Sequence, residues 1–148
     1  MTVRPIVHAV AGTTAMLTIA TFWASTLVSE LILSQEAIVA VKHSIVAYGL
    51  VVLVLAMAVT GGSGFALAKT RKGRLLEQKK KRMPIIALNG ILVMIPAAIF
   101  LNFKAATGEF DGLFYAVQVV ELAVGVVQLT LMGMNFRDGL KLAGSYPK

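Results

Sequence analysis

Apolar residues in this chain run together in long blocks and do not alternate with polar ones at short range. Four blocks stand out: 6–34, 37–60 with residue 68 as the alternative end point, 84–103 and 112–136. Each is long enough to matter, because about 20 helical residues at 1.5 Å of rise cross a hydrocarbon core of ~30 Å. Inside hydrocarbon every backbone amide needs a partner within the chain. Uninterrupted apolar runs of this length suit helices, whereas barrel strands require alternation. The pattern predicts an all-α integral membrane protein, a four-transmembrane-helix up-down bundle forming a single domain over residues 1–148. Punctuation agrees with this division. Pro84 suits the first turn of the third helix, and Gly108, Asp111 and Gly112 mark the turn into the fourth.

Composition strengthens the reading. Apolar residues make up 57% of the chain and charged ones 14%, against roughly 45–50% and 25% in soluble domains. The first block starts near Arg4 like a secretory signal, but its apolar run is about twice the usual length and ends without a small-x-small cleavage site, so a retained helix is expected. The chain has no cysteine, which removes disulfides, thiolate metal sites, iron–sulfur clusters and thioether haem attachment.

Charge then gives an orientation. The stretch KTRKGRLLEQKKKR at 69–82 carries eight basic side chains against one acid and supplies the whole net charge of +7. It is expected to be a loop over 69–83. With four spans, the N-terminus, this loop and the C-terminal tail share one side. Of the fourteen Lys and Arg residues, Lys42 and Lys104 alone fall near the other face, beside Glu30, Glu36, Glu109 and Asp111. The positive-inside rule therefore places both termini in the cytoplasm, as in a bacterial inner membrane. The same basic residues are expected to meet anionic lipid headgroups. Nucleic-acid binding is not expected, since the cations sit in one break of an apolar chain and are not spread over a folded surface.

Candidate chemistry is sparse. GGSGFALAKT at 61–70 lacks the glycine spacing of a phosphate-binding loop, and no strand precedes it. No serine stands beside a credible base for nucleophilic catalysis. Ionisable residues within a span are costly, so each is a candidate site. Glu121 is the deepest, and Gln118, Glu121, Gly125, Gln128, Met132 and Asn135 recur at three- and four-residue spacing on one inward face. The first helix offers a stripe of His8, Ala11, Ala15, Thr18, Phe22, Ser25 and Ser29. On the second, His43 leads a line through Ala47, Leu50, Val54, Met57 and Gly61, and the third contributes Asn89 and Pro96. Pro96 should kink its helix and free a carbonyl near Leu92.

Two histidines in such a bundle suggest haem b, with His8 and His43 as iron ligands and Gly61 and Gly62 making room for a flat haem or quinone ring. Their depths differ by roughly 20–30 Å of helical rise, so they cannot ligate one iron within a protomer. A twofold axis along the membrane normal would pair each histidine with its symmetry mate. Methionine could also complete the coordination, Met132 or Met134 with His8, and Met94 or Met16 with His43. A metal site from Glu30, His43 and Glu121 is a further expectation. Three functions follow. The first is a redox-cofactor protein with electron transfer across a homodimer. The second is a proton- or cation-coupled transporter using Glu121, Gln118, Gln128, Asn89 and Glu30. The third is an accessory or assembly subunit of a larger membrane complex.

Overall fold

The computed structural model describes residues 3–69 and 72–142. They form four helices: Val3–Ile32, Gln35–Ala68, Arg74–Ala106 and Gly112–Leu142. All four are long and apolar enough to cross a membrane, and no strand occurs among the described residues. The helices alternate in direction around a ring, the first packing on the second and fourth and the third doing the same from the opposite side. Two short turns, near 33–34 and 107–111, lie at one end, the acidic end. The link between the second and third helices lies at the other, the basic end.

The turns are fixed by local hydrogen bonds. Ser34 accepts from the Ala37 amide at 3.2 Å and caps the second helix, a contact worth about 1 kcal/mol. Asp111 does the same for the fourth, accepting from the Phe114 amide at 3.0 Å. Most of each helix surface is apolar and turned outward. Val51, Leu55, Ile91, Leu92 and Val119 are all exposed, which is the surface a hydrocarbon solvent would cover.

Three local expectations are corrected. The third helix starts at Arg74, not at Pro84, so most of the basic run is helical and not loop. Pro84 lies inside that helix. Its missing N–H would have bonded the carbonyl of Lys80, which sits on an exposed turn where water can serve instead. On the first helix the buried line passes through Ala11, Ala15, Ile19, Thr26 and Ser29, leaving Thr18 and Ser25 partly exposed. On the second, the buried line of Ile38, Lys42, Ile45, Leu53 and Ala56 runs one or two residues ahead of the one led by His43, and His43, Ala47 and Val54 face outward. The 3.6-residue period sets both lines, and apolar content around the whole helix hides their phase.

The second and third helices each contain a π-turn, Ile45–Gly49 and Gly90–Met94. The latter lies directly before Pro96. A proline ring clashes with the carbonyl four residues back, and widening the turn through Leu92 relieves that clash.

Two apolar clusters make the core. One, of Ala15, Ile19, Leu53, Ala56, Ile86 and Met132, joins all four helices through the middle. The other, of Ile38, Leu101, Ala105 and Phe114, closes the acidic end. Polar side chains occupy the space between these layers.

Candidate functional site

Lys42 is the centre of that polar layer. Its side chain is 2% exposed, its ammonium donates to Gln118 Oε1, and it stands 3.7 Å from Glu30 Oε1. Glu121, a further acidic neighbour of the ammonium, lies almost one turn deeper than Gln118 on the same helix. Three helices therefore converge, the first through Thr26 and Glu30, the second through Lys42 and the fourth through Gln118 and Glu121. Phe114 lies above the ammonium, its ring centroid 6.0 Å away. The apolar cluster around Ile38 and Leu101 closes the layer toward the acidic end.

Trp23 makes the floor. Its indole N–H donates to the Leu122 carbonyl at 2.9 Å. The ring lies so close to Gly125 that a Cβ there would come 2.8 Å from Trp23 Cδ1. Glycine at 125 is thus a requirement of packing, since only a bare backbone admits the indole. Within the layer several buried atoms have no hydrogen-bond partner: both Glu30 carboxylate oxygens, Glu121 Oε2, Gln118 Nε2 and Thr26 Oγ1. They include acceptors and donors alike.

Deeper along the fourth helix, Gln128 is 1% exposed and its amide donates to the Ile86 carbonyl at 2.8 Å. Its own carbonyl oxygen is buried without a partner. At the basic end the same face carries Asp138, fully buried, whose carboxylate meets Arg82 Nη1 at 2.6 Å and Arg137 Nη2 at 3.4 Å. Arg82 also donates to Asn135 Oδ1 at 3.1 Å.

Of the residues expected from sequence, Glu30, Gln118 and Glu121 are brought together. Gln128 shares their face below the Trp23 floor. Asn89 is partly exposed beside the start of the π-turn and does not join them. His43 faces outward, so Lys42 takes the inward place beside Glu30 and Glu121 that a metal site would have given to His43. Among the described residues no group of three or more His, Cys, Asp or Glu side chains is arranged to hold a metal ion. His8 sits toward the basic end, with Nδ1 3.1 Å from the Thr60 carbonyl and 3.1 Å from Ser63 Oγ, and it packs on Gly64. The two histidines therefore belong to opposite ends of the bundle. Gly61 and Gly62 face open space, and Met132 belongs to the apolar core.

Sequence reasoning missed Lys42, Trp23, Arg82 and Asp138. Two signals were present. Lys42 keeps the spacing of Ile38 and Ile45, and Asp138 extends by three residues the stripe that runs from Gln118 to Asn135.

Comparison with protein-family models, curated proteins and solved structures gives no match.

Proposed function

We propose that the protein is a small proton-translocating carrier of the cytoplasmic membrane, with Glu30, Lys42 and Glu121 as its titrating centre and the basic end in the cytoplasm. One observation carries this reading. The enclosed layer holds two carboxylates and one ammonium, and the oxygens of both carboxylates include atoms without partners. An enclosed charge without a counter-charge is costly, and the surplus negative charge is relieved by taking a proton or a cation. The ammonium already present disfavours a second fixed cation, which leaves the proton. Unpartnered donors and acceptors side by side also suit water, which can satisfy both and pass a proton along.

The outward apolar surface, the length of the four helices and the basic link between the second and third support the membrane placement. The cations of Arg74, Lys80 and Lys81, exposed on helical turns that extend the third helix, suit the phosphates of anionic headgroups.

Proteoliposomes loaded with a pH-sensitive dye test the function. Under an imposed pH gradient the wild type is expected to move protons, and Glu121→Gln to lower the rate by about 100-fold, equivalent to ~2.7 kcal/mol on the barrier, with helical content unchanged. Equal rates for wild type and variant would reject the carrier. A Soret band in purified protein that shifts on reduction would favour haem instead.

A further inference from the structure

The outward face of the second helix presents a second problem, separate from the polar layer. Tyr48 lies near the middle of the 34-residue second helix, about 20 Å of helical rise from its start. It is 70% exposed and makes no hydrogen bond among the described residues. Tyrosine favours the membrane–water interface, and a hydroxyl in hydrocarbon without a partner is costly. From this depth the phenol cannot reach headgroups. His43 and Ser44, about one turn toward the acidic end, are exposed on the same helix.

Beside Tyr48 the surface is hollow. A groove of about 400 Å³ runs between the first two helices, lined by Thr14, Thr18 and Thr21 on one side and Gly49 and Val52 on the other, with Phe22 at its base. Phe22 presses against the π-turn, where a Cβ on Gly49 would come within 2.3 Å of the ring. The three threonine hydroxyls have already used their protons. Each donates to the carbonyl four residues back, at 2.7–2.8 Å. The groove therefore offers methyl groups and acceptor oxygens but no donor to whatever fills it, while the phenol at its rim requires a hydrogen-bonding partner.

We propose that this face is a homodimer interface, with Tyr48 of each copy over the mouth of the other's groove and the two phenols hydrogen-bonded across a twofold axis along the membrane normal. A protrusion beside a hollow on one surface is the arrangement that an isologous contact needs, because rotation places each knob over the other hole. Hydrogen-bond chemistry matches itself in the same way, since a phenol both donates and accepts. An acyl chain would fill the groove but leave the hydroxyl without a partner. The small side chains Ala40, Ser44 and Ala47, all exposed on the second helix, allow the backbones to approach closely.

The absence of native cysteine makes the test direct. Ala47→Cys puts one thiol beside Tyr48, and Ala123→Cys puts one on the exposed surface of the fourth helix. Oxidation in native membranes is expected to give a band at twice the chain mass from Ala47→Cys and none from Ala123→Cys. Adding Tyr48→Ala to Ala47→Cys should lower the dimer yield about 10-fold, with Tyr48→Phe in between. Sedimentation of the unmodified chain in mild detergent should report a dimer. A monomer in that measurement, equal bands from both thiols, or an adduct with a different protein would each overturn the interface. None of these readings depends on proton flux, so the interface and the carrier fail or stand separately.

Discussion

Glu121 and Asp138 stand on the same inward face of the fourth helix, roughly 25 Å apart by helical rise, and their surroundings differ in kind. Asp138 is fully buried and meets the guanidinium groups of Arg82 and Arg137. Glu121 shares one ammonium with Glu30, and oxygens of both carboxylates remain without partners. A saturated ion pair holds helices in register and leaves nothing to exchange. An unsaturated one keeps an open place for a mobile charge. The basic-end pair is accordingly a clasp, tying the helical extension at Arg74–Arg82 to the fourth helix, and the pair toward the acidic end is the proposed proton site.

The difference predicts opposite responses to removal of a carboxylate. Asp138→Ala leaves Arg82 facing a buried vacancy, and breaking a buried pair by deleting one partner costs about 3–5 kcal/mol. Unfolding in detergent, followed by circular dichroism, should show this as the largest single loss. Replacing the pair jointly, Arg82→Met with Asp138→Leu, should recover most of it, because well-packed apolar side chains often equal a buried ion pair. Glu121→Gln should change stability by no more than about 1 kcal/mol, in the range of one neutral hydrogen bond. A Glu121→Gln protein that unfolds as readily as Asp138→Ala would erase the distinction between clasp and site.

A smaller effect tests the floor of the proposed site. Gly125→Ala would place a methyl group against Trp23, and overpacking of this kind costs about 1–3 kcal/mol. Trp23 is the sole tryptophan in the chain, so its emission reports the displacement without interference. An emission shift together with faster proton leak is expected if the indole separates the charged layer from Gln128. An unchanged spectrum would show that the ring is not held against the helix.

Helix number and the polar face of the fourth helix were legible in sequence because both depend on long-range periodicity. Hydrocarbon thickness fixes the length of each apolar run, and the spacing from Gln118 to Asn135 fixes one face. The phase of the second helix was not legible. It is apolar all round, so a pattern led by His43 and one led by Lys42 look equally plausible until neighbours pack against it. Packing chose Lys42, and with it the chemistry of the layer. The start of the third helix was hidden for another reason. Basic residues suggest a loop because they cannot enter hydrocarbon, yet Arg, Leu, Glu, Gln and Lys are good helix formers and continue the helix into water. Pro84 concealed this further, since its N–H deficit matters little where the matching carbonyl is hydrated.

The smallest effect belongs to the exposed turn at the acidic end, a third charged group that sets a baseline for the other two. Lys104 donates to Asp111 Oδ2 at 2.7 Å and stands 3.5 Å from Glu109. The Lys104 ammonium, followed by the Phe114 amide, holds the Asp111 carboxyl below its ordinary range. A carboxylate whose value is lowered by folding adds stability above the unfolded value, near 3.9, and loses it as pH falls through the folded value. Asp111→Asn should therefore lower the melting temperature slightly at neutral pH, and the gap from wild type should close as the medium is acidified below pH ~4. Solvent screens this contact, because more than half of the Asp111 side chain is exposed. The gap should consequently shrink in high salt, whereas the loss caused by Asp138→Ala, in a pair removed from solvent, should hardly respond. A salt-insensitive Asp111→Asn effect as large as that of Asp138→Ala would mean that burial does not distinguish the charged groups of this bundle.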